Sequence, residues 1–284
     1  GGWMGMRINH LKEVKEALLG SIMRVNTGIS GLDELMGGGL PLGSCVLLSG
    51  KAGTGKSIFA IQYILKGITD YGEPGVLVSL ERGKKDIYDY ASKFGWQLQR
   101  LENEGSLRII GGPISDLVAQ MKKRKAKIGG LLSEIVETVR SSASKRVVLE
   151  RVDLLSVFFP DERDFRVQLD NLRDSLAKLN CTSIVTSEIR EGQEELSRAG
   201  VEEILDGVIV LYYRGEGQTL DRALEIRKMR GIAHSNRLHF FSITDNGVAI
   251  QELLERRKPK PLEKVERAIK PAISLSDLRK SIIG

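Results

Sequence analysis

Cysteine, histidine and aromatic residues are all scarce in this chain of 284 residues: two cysteines, three histidines and 5% aromatics. Cys45 and Cys181 lie in separate apolar, strand-like runs. They read as buried thiols of a reduced cytoplasm, not as a disulfide framework. Two isolated cysteines and three scattered histidines provide no zinc-ligand spacing. No apolar run approaches the roughly 18 residues needed to span a bilayer. The N-terminus lacks the uninterrupted apolar stretch of a secretory signal. The expectation is a cytoplasmic protein without membrane contact. Apolar residues still make up 41% of the chain and charged residues 28%, enough apolar content for a packed core.

The net charge of +6 is unevenly spread. From Glu255 to Gly284 there are nine Lys/Arg and four Asp/Glu, which leaves the rest of the chain close to neutral. A basic tail argues less for nucleic acid than a basic body would. Residues 1–8 read as a tag remnant and start, with Met4 or Met6 as initiators. His10–Met23 has helical spacing in Leu11, Val14, Leu18 and Ile22. That helix packs on the main domain or docks another subunit. Residues 1–23, 24–254 and 255–284 are the expected divisions: N-terminal remnant and helix, main domain, and basic proline-punctuated tail.

Within the main domain, strand-like and helical runs alternate. Strands are expected at Cys45–Ser49, Val76–Leu80, Leu107–Gly111, Arg146–Leu149 and Cys181–Ser187. Helices are expected at Lys56–Asp70, Lys85–Phe94, Leu117–Val139 and Phe165–Leu179. Four closely spaced strands follow: Val208–Tyr213, Arg222–Lys228, Leu238–Ser242 and Gly247–Gln251. The fold class is therefore α/β: a mostly parallel sheet with helices on both faces and antiparallel strands added at one edge.

Gly50-Lys51-Ala52-Gly53-Thr54-Gly55-Lys56-Ser57 fits the phosphate-loop pattern G-x-x-x-x-G-K-[ST] in full. It follows an apolar run, Cys45–Ser49, and precedes another, Ile58–Leu65. Strand, glycine loop and helix form the arrangement that cradles phosphate. Glycines let successive N–H groups turn inward, and the new helix adds its positive end. Lys56 would bridge the β- and γ-phosphates, and the Ser57 hydroxyl would ligate Mg²⁺.

The flanks resemble a known family. Arg24-Val25-Asn26-Thr27-Gly28-Ile29-Ser30-Gly31-Leu32-Asp33-Glu34-Leu35 leads into Gly37-Gly38-Gly39-Leu40-Pro41. This is similar to the opening of the KaiC-like branch of the RecA superfamily. The resemblance continues through Phe94-Gly95-Trp96, Val201–Val208, Lys228–Ser235 and Ile243–Gly247. It implies a RecA-like ATPase that holds MgATP between the subunits of a homo-oligomeric ring, taken as a hexamer. It also implies a nucleotide set of Gly50, Ala52, Gly53, Thr54, Gly55, Lys56, Ser57 and Ile58 with Lys228, Met229, Arg230, His234, Thr244 and Asp245. ATP and ADP are the implied ligands.

Catalytic roles carry over in the same way. Glu81 closes an apolar strand, where a carboxylate orients and deprotonates the attacking water. The family usually has two adjacent glutamates there; here the second is Arg82. Glu150 ends the next carboxylate-bearing strand and, with Ser57, is the implied Mg²⁺ site. The family usually has aspartate followed by serine; here Glu150 is followed by Arg151. Val185-Thr186-Ser187-Glu188 ends a further strand, where polar groups either sense the γ-phosphate or cap the next segment. Lys228 and Arg230 point the same way along a strand. They either reach a neighbour's ATP or form a solvated, charged strand edge. The departures at Arg82 and Glu150 imply slow turnover. Glu202 and Glu203 stand where one domain of a two-domain member of that family carries phosphate-accepting hydroxyls, so phosphate acceptance there is excluded by chemistry.

Lys122-Lys123-Arg124-Lys125 and Lys127 are dense in charge but have no interleaved aromatics for base stacking. A solvated face is the expectation, with weak, non-specific nucleic-acid contact as the alternative.

Overall fold

The computed structural model describes residues 22–116, 119, 128–189, 196–214 and 221–251. The expected helix at 10–21, the 122–127 cluster and the tail after residue 251 lie outside these residues. Ile22 and Met23 are described and are exposed, non-helical chain.

Among the described residues, nine strands form one sheet: β3 (Cys45–Gly50), β4 (Gly75–Ser79), β5 (Leu107–Gly111), β6 (Arg146–Glu150), β7 (Thr182–Glu188), β8 (Gly207–Arg214), β9 (Asp221–Met229), β10 (Leu238–Thr244) and β11 (Gly247–Ile250). Their spatial order is β11-β10-β9-β8-β3-β7-β6-β4-β5. Pairing is parallel from β5 through β8 and antiparallel from β8 through β11. The expected mixed sheet is therefore the observed one. A separate pair, β1 (Arg24–Val25) with β2 (Leu40–Pro41), closes the glycine-rich opening segment. That segment is held by Asp33, whose carboxylate accepts from the Thr27 N–H at 2.9 Å and the Thr27 hydroxyl at 2.7 Å.

Alternation along the strands divides the core in two. Val46, Leu48, Leu77 and Val148 face one side, while Cys45, Leu47, Val76, Val78, Val147 and Leu149 face the other. On the first side lie helices α1 (Lys56–Tyr71), α2 (Lys84–Ser92) and α3 (Leu98–Asn103). On the second lie α4 (Ile128–Ser141) and α5 (Glu162–Lys178). Strands buried on both faces explain why they read as continuous apolar runs. Both cysteines are free and buried.

One contact ties the antiparallel edge to the loop helix. Gln62 of α1 donates to the Val248 carbonyl at 3.1 Å and accepts from the Val248 N–H at 2.6 Å. Strand β11 is thereby pinned against α1, and the β10–β11 turn sits at the phosphate-loop end of the sheet.

One feature departs from the expected elements: the short helix α3 is additional. Residues 117, 118 and 120–127 of the expected helix Leu117–Val139 lie outside the described residues, and α4 covers Ile128–Ser141. Leu98, which anchors α3, is fully buried, so a six-residue helix forms through packing more than propensity.

Candidate active site

The parallel strands all deliver their C-terminal ends to one edge, where open α/β sheets bind ligands. Strand β3 ends at Gly50, and α1 begins at Lys56. The intervening turn needs glycine at two places: Gly53 has φ 77° and Gly55 φ 110°. A Cβ on Gly53 would come within 3.1 Å of the Tyr213 hydroxyl. The Thr54 hydroxyl donates to the Lys51 carbonyl at 2.8 Å, bracing the loop from inside. Helix α1 has no acidic residue in its first turn, so its positive end is left for an anion.

Lys56 is buried and donates to the carbonyls of Gly50 at 2.7 Å and Lys51 at 2.9 Å. Burial pulls its pKa below the ordinary lysine value, an effect opposed by Glu188 and reinforced by Arg151. Across from it, Glu150 is only 3% exposed. Burial raises its pKa, while the Ser57 hydroxyl, Arg82 and the Ser79 hydroxyl favour its charged form. A buried carboxylate beside a serine hydroxyl is a hard oxygen donor set, suited to Mg²⁺. The glycine loop, the buried ammonium and this donor set thus fit a magnesium nucleotide.

Glu81 lies just past the end of β4. Its carboxylate accepts from the Arg151 Nη1 at 2.9 Å. Arg151 also pairs with Glu188 at 3.1 Å and with Asp153 at 3.0 Å. Partial burial works against its charge, but these carboxylates outweigh it and hold its pKa above the ordinary value. Arg82 stacks on Tyr90, 4.6 Å from the ring centroid. Glu81, Arg82, Tyr90, Arg151 and Glu188, with Arg222 and Ile243, line a cleft of about 270 Å³ over the glycine loop. A larger hollow of about 750 Å³ lies between α2 and α3, away from the glycine loop and the carboxylates.

The remaining sequence-predicted residues fall at two places. Thr244 and Asp245 occupy the β10–β11 turn, at the phosphate-loop end; the Thr244 hydroxyl donates to the Gly247 carbonyl at 3.1 Å. Lys228, Met229 and Arg230 lie at the opposite end. Met229 pairs with Gly207, at the start of β8, and β8 runs parallel to β3. Lys228 donates to the carbonyls of Glu202 at 2.9 Å and Leu205 at 2.6 Å. Arg230 donates to the Glu203 carbonyl at 2.9 Å. Between them, Met229 is buried in the core. His234 follows on the β9–β10 connection, with Nδ1 3.0 Å from the Ser235 carbonyl oxygen.

A family model described as "ATPase: KaiC" matches residues 25–255. The chain belongs to the KaiC family of ATPases. It is 36% identical over 233 residues to a UPF0273 protein of Methanocaldococcus jannaschii, covering 80% of this chain and 96% of that one. The circadian clock oscillator protein KaiC of Parathermosynechococcus lividus is 35% identical over 243 residues, 85% of this chain but 44% of the clock protein. This chain therefore matches less than half of that relative's length. The crystal structure of a KaiC-like protein from Pyrococcus horikoshii aligns with a TM-score of 0.72 at 36% identity, covering 82% of this chain and 100% of that one. A RecA-type, KaiC-like domain is what the strand order describes.

Within this KaiC-family cleft, Tyr90, Arg151, Arg222 and Ile243 lie outside the nucleotide and catalytic set expected from the sequence, whereas Glu188 ends the Val185–Glu188 run expected to sense the γ-phosphate or cap the next segment. Arg151 and Glu188 carried a positional signal, since each ends or follows a parallel strand at the ligand edge. Arg222 carried none. It reaches the glycine loop only because β9 pairs with β8 so that Arg222 lies opposite Tyr213, whose hydroxyl donates to the Gly53 carbonyl at 2.5 Å.

Proposed function

We propose that this KaiC-family domain binds MgATP on its glycine loop and hydrolyses it slowly, at contacts between like subunits of a ring, taken as a hexamer. The bound nucleotide supplies the γ-phosphoryl group and Mg²⁺ the charge that offsets it. Lys56 exchanges the Gly50 and Lys51 carbonyls for phosphate oxygens. The loop N–H groups and the start of α1 hold the same anion. Ser57 and Glu150 hold the metal. Glu81 accepts the proton of the attacking water and orients it, with the tertiary fold excluding competing geometries. Lys228 and Arg230 of one subunit neutralise charge at the neighbour's site, and His234 belongs to that same surface.

The observation that carries this reading is the division of the family's site residues between opposite ends of one sheet. One chain cannot bring Arg230 to its own glycine loop, because the strands between them run the full depth of the sheet. A ring that sets one end against the other completes the site. The test is phosphate release from ATP with Mg²⁺, alongside light scattering with and without nucleotide. Release that scales with assembly supports the proposal. Full-rate release from monomers overturns the intersubunit part.

A second reading has one observation in its favour. Arg151 holds Glu81 in an ion pair, as suits a nucleotide-gated assembly module that hydrolyses little. A DNA-binding reading rests on the 122–127 cluster and the basic tail, outside the described residues. Contact with nucleic acid is proposed as weak and non-specific, through phosphates only. A cytoplasmic location is likewise part of this reading, resting on the cysteine usage.

A further inference from the structure

We propose that Arg151 is the residue by which this chain tells a nucleoside triphosphate from a diphosphate, trading carboxylate partners for the terminal phosphate. The proposal rests on the nucleotide reading above.

Three observations point to it. First, Arg151 is held at the ligand edge by its backbone. It adopts φ 60° and ψ 50°, a left-handed conformation uncommon for a long side chain. Its N–H donates to the Thr186 hydroxyl at 2.9 Å. This twist turns the residue after Glu150 into the same cleft as Lys56 and Ser57.

Second, the guanidinium is anchored at one side and exchangeable at the other. Nε and Nη2 both bond Asp153, at 3.1 and 3.0 Å. Asp153 is a near neighbour in sequence and sets the plane of the fork. Nη1 alone is shared between Glu81 at 2.9 Å and Glu188 at 3.1 Å. A planar fork that keeps one carboxylate while offering its other nitrogen suits oxyanion recognition better than a lysine would.

Third, letting go leaves no buried charge behind. The side chains of Glu81 and Glu188 are 45% and 32% exposed, against 20% for Arg151. Water replaces the lost partner at both carboxylates, so the exchange carries little desolvation cost. A diphosphate leaves Nη1 on its carboxylates. A terminal phosphate draws Nη1 away, and the same movement frees Glu81 to act on water. Recognition of the triphosphate and release of the base are then one event.

The test is equilibrium binding, so turnover does not enter. Fluorescence titration measures the affinities of ADP and of the β,γ-imido analogue of ATP, each with Mg²⁺. Arg151→Asn removes the charge while keeping a side chain that tolerates the left-handed backbone. Analogue affinity should fall about tenfold, the scale of one charged hydrogen bond, with ADP changed less than about twofold. Glu81→Gln, which loosens Nη1, should raise analogue affinity about two- to threefold. An unchanged analogue-to-ADP ratio in Arg151→Asn overturns the proposal, as does an equal loss for both nucleotides. Lys56→Ala separates the two levels. If that variant binds both nucleotides like the parent, the glycine-loop reading itself fails. If it loses both while Arg151→Asn keeps the ratio, only the role of Arg151 fails.

Discussion

The two ends of the central sheet hold cations in different ways. At the glycine-loop end, Lys56, Arg82 and Arg151 sit among Glu81, Glu150, Glu188 and Asp153, so charge is balanced by charge in a partly buried cleft. At the far end, Lys228 and Arg230 are satisfied chiefly by backbone carbonyls of 202–205, with Asp206 3.6 Å from Arg230. Carbonyl partners are weaker holders of a cation than carboxylates. Arg230 is also about half exposed. The far-end pair is therefore held by weaker partners than the cleft cations, which sit in ion pairs.

The largest expected effect breaks the glycine-loop end. Lys56→Ala should weaken ATP binding about a hundredfold, the value of one or two charged hydrogen bonds to phosphate, and remove measurable turnover. Circular dichroism should be unchanged, because Gly53 and Gly55 set the loop's backbone. A fluorescent ATP analogue binding this variant as tightly as the parent would refute the assignment.

A smaller effect is expected at the far end. Arg230→Ala should lower turnover about a hundredfold, below the 10³–10⁵ of a sole arginine finger because Lys228 shares the work. Mixing it with Glu81→Gln should restore part of the activity, since some interfaces then pair an intact base with an intact cation. Subunit exchange is checked by a fluorescence-transfer pair. With exchange confirmed, no recovery at any ratio means that the site is complete within one chain.

The smallest effect sharpens the electrostatic contrast. Glu150 has its pKa raised by burial, so the folded state favours its neutral form. Stability from that preference is full below the ordinary glutamate value and is lost as pH rises through the raised one. At pH 7, Glu150→Gln should thus raise the melting temperature of the nucleotide-free protein by about 2–4 °C, the equivalent of roughly 1 kcal/mol for a domain of this size. The advantage should shrink as pH falls into the carboxylate range, and Mg²⁺ should strengthen nucleotide binding less than in the parent. Calorimetry across pH measures the first two. An unchanged or lower melting temperature at pH 7 would show that Arg82 and the two serine hydroxyls already offset the burial.

Much of the fold could be read along the chain. The strands from β3 to β8 are apolar runs of five to eight residues with turn residues between them, and each appears within about two residues of its expected bounds. Helix α1 appears from Lys56, one residue past the loop glycine, as the motif requires. The 3₁₀ turn of Val152–Phe158 was not legible, because it follows from the left-handed turn at Arg151 and packs Val152 and Leu155 into the core. In the cleft, the glycine loop was visible from local pattern, and the two strand-end carboxylates were singled out through the family resemblance. Arg151 was visible as a departure from the family at a strand end, but nothing near it in sequence shows that residues 81 and 188 will be its partners.

The glycine loop, the alternation that sorts one core face from the other, and the tendency to form α1 were determined by the sequence itself, because they depend on spacing between near neighbours and on the backbone freedom of individual residues. The partners of Arg151, the approach of Arg222 and Tyr213 to Gly53, and the separation of Lys228 and Arg230 from their own chain's loop were decided only by tertiary structure. Each depends on which strand lies beside which and in what direction. That order is set by the joint packing of two helical layers on one sheet, so residues seventy or more positions apart meet or miss each other for reasons that no local stretch contains.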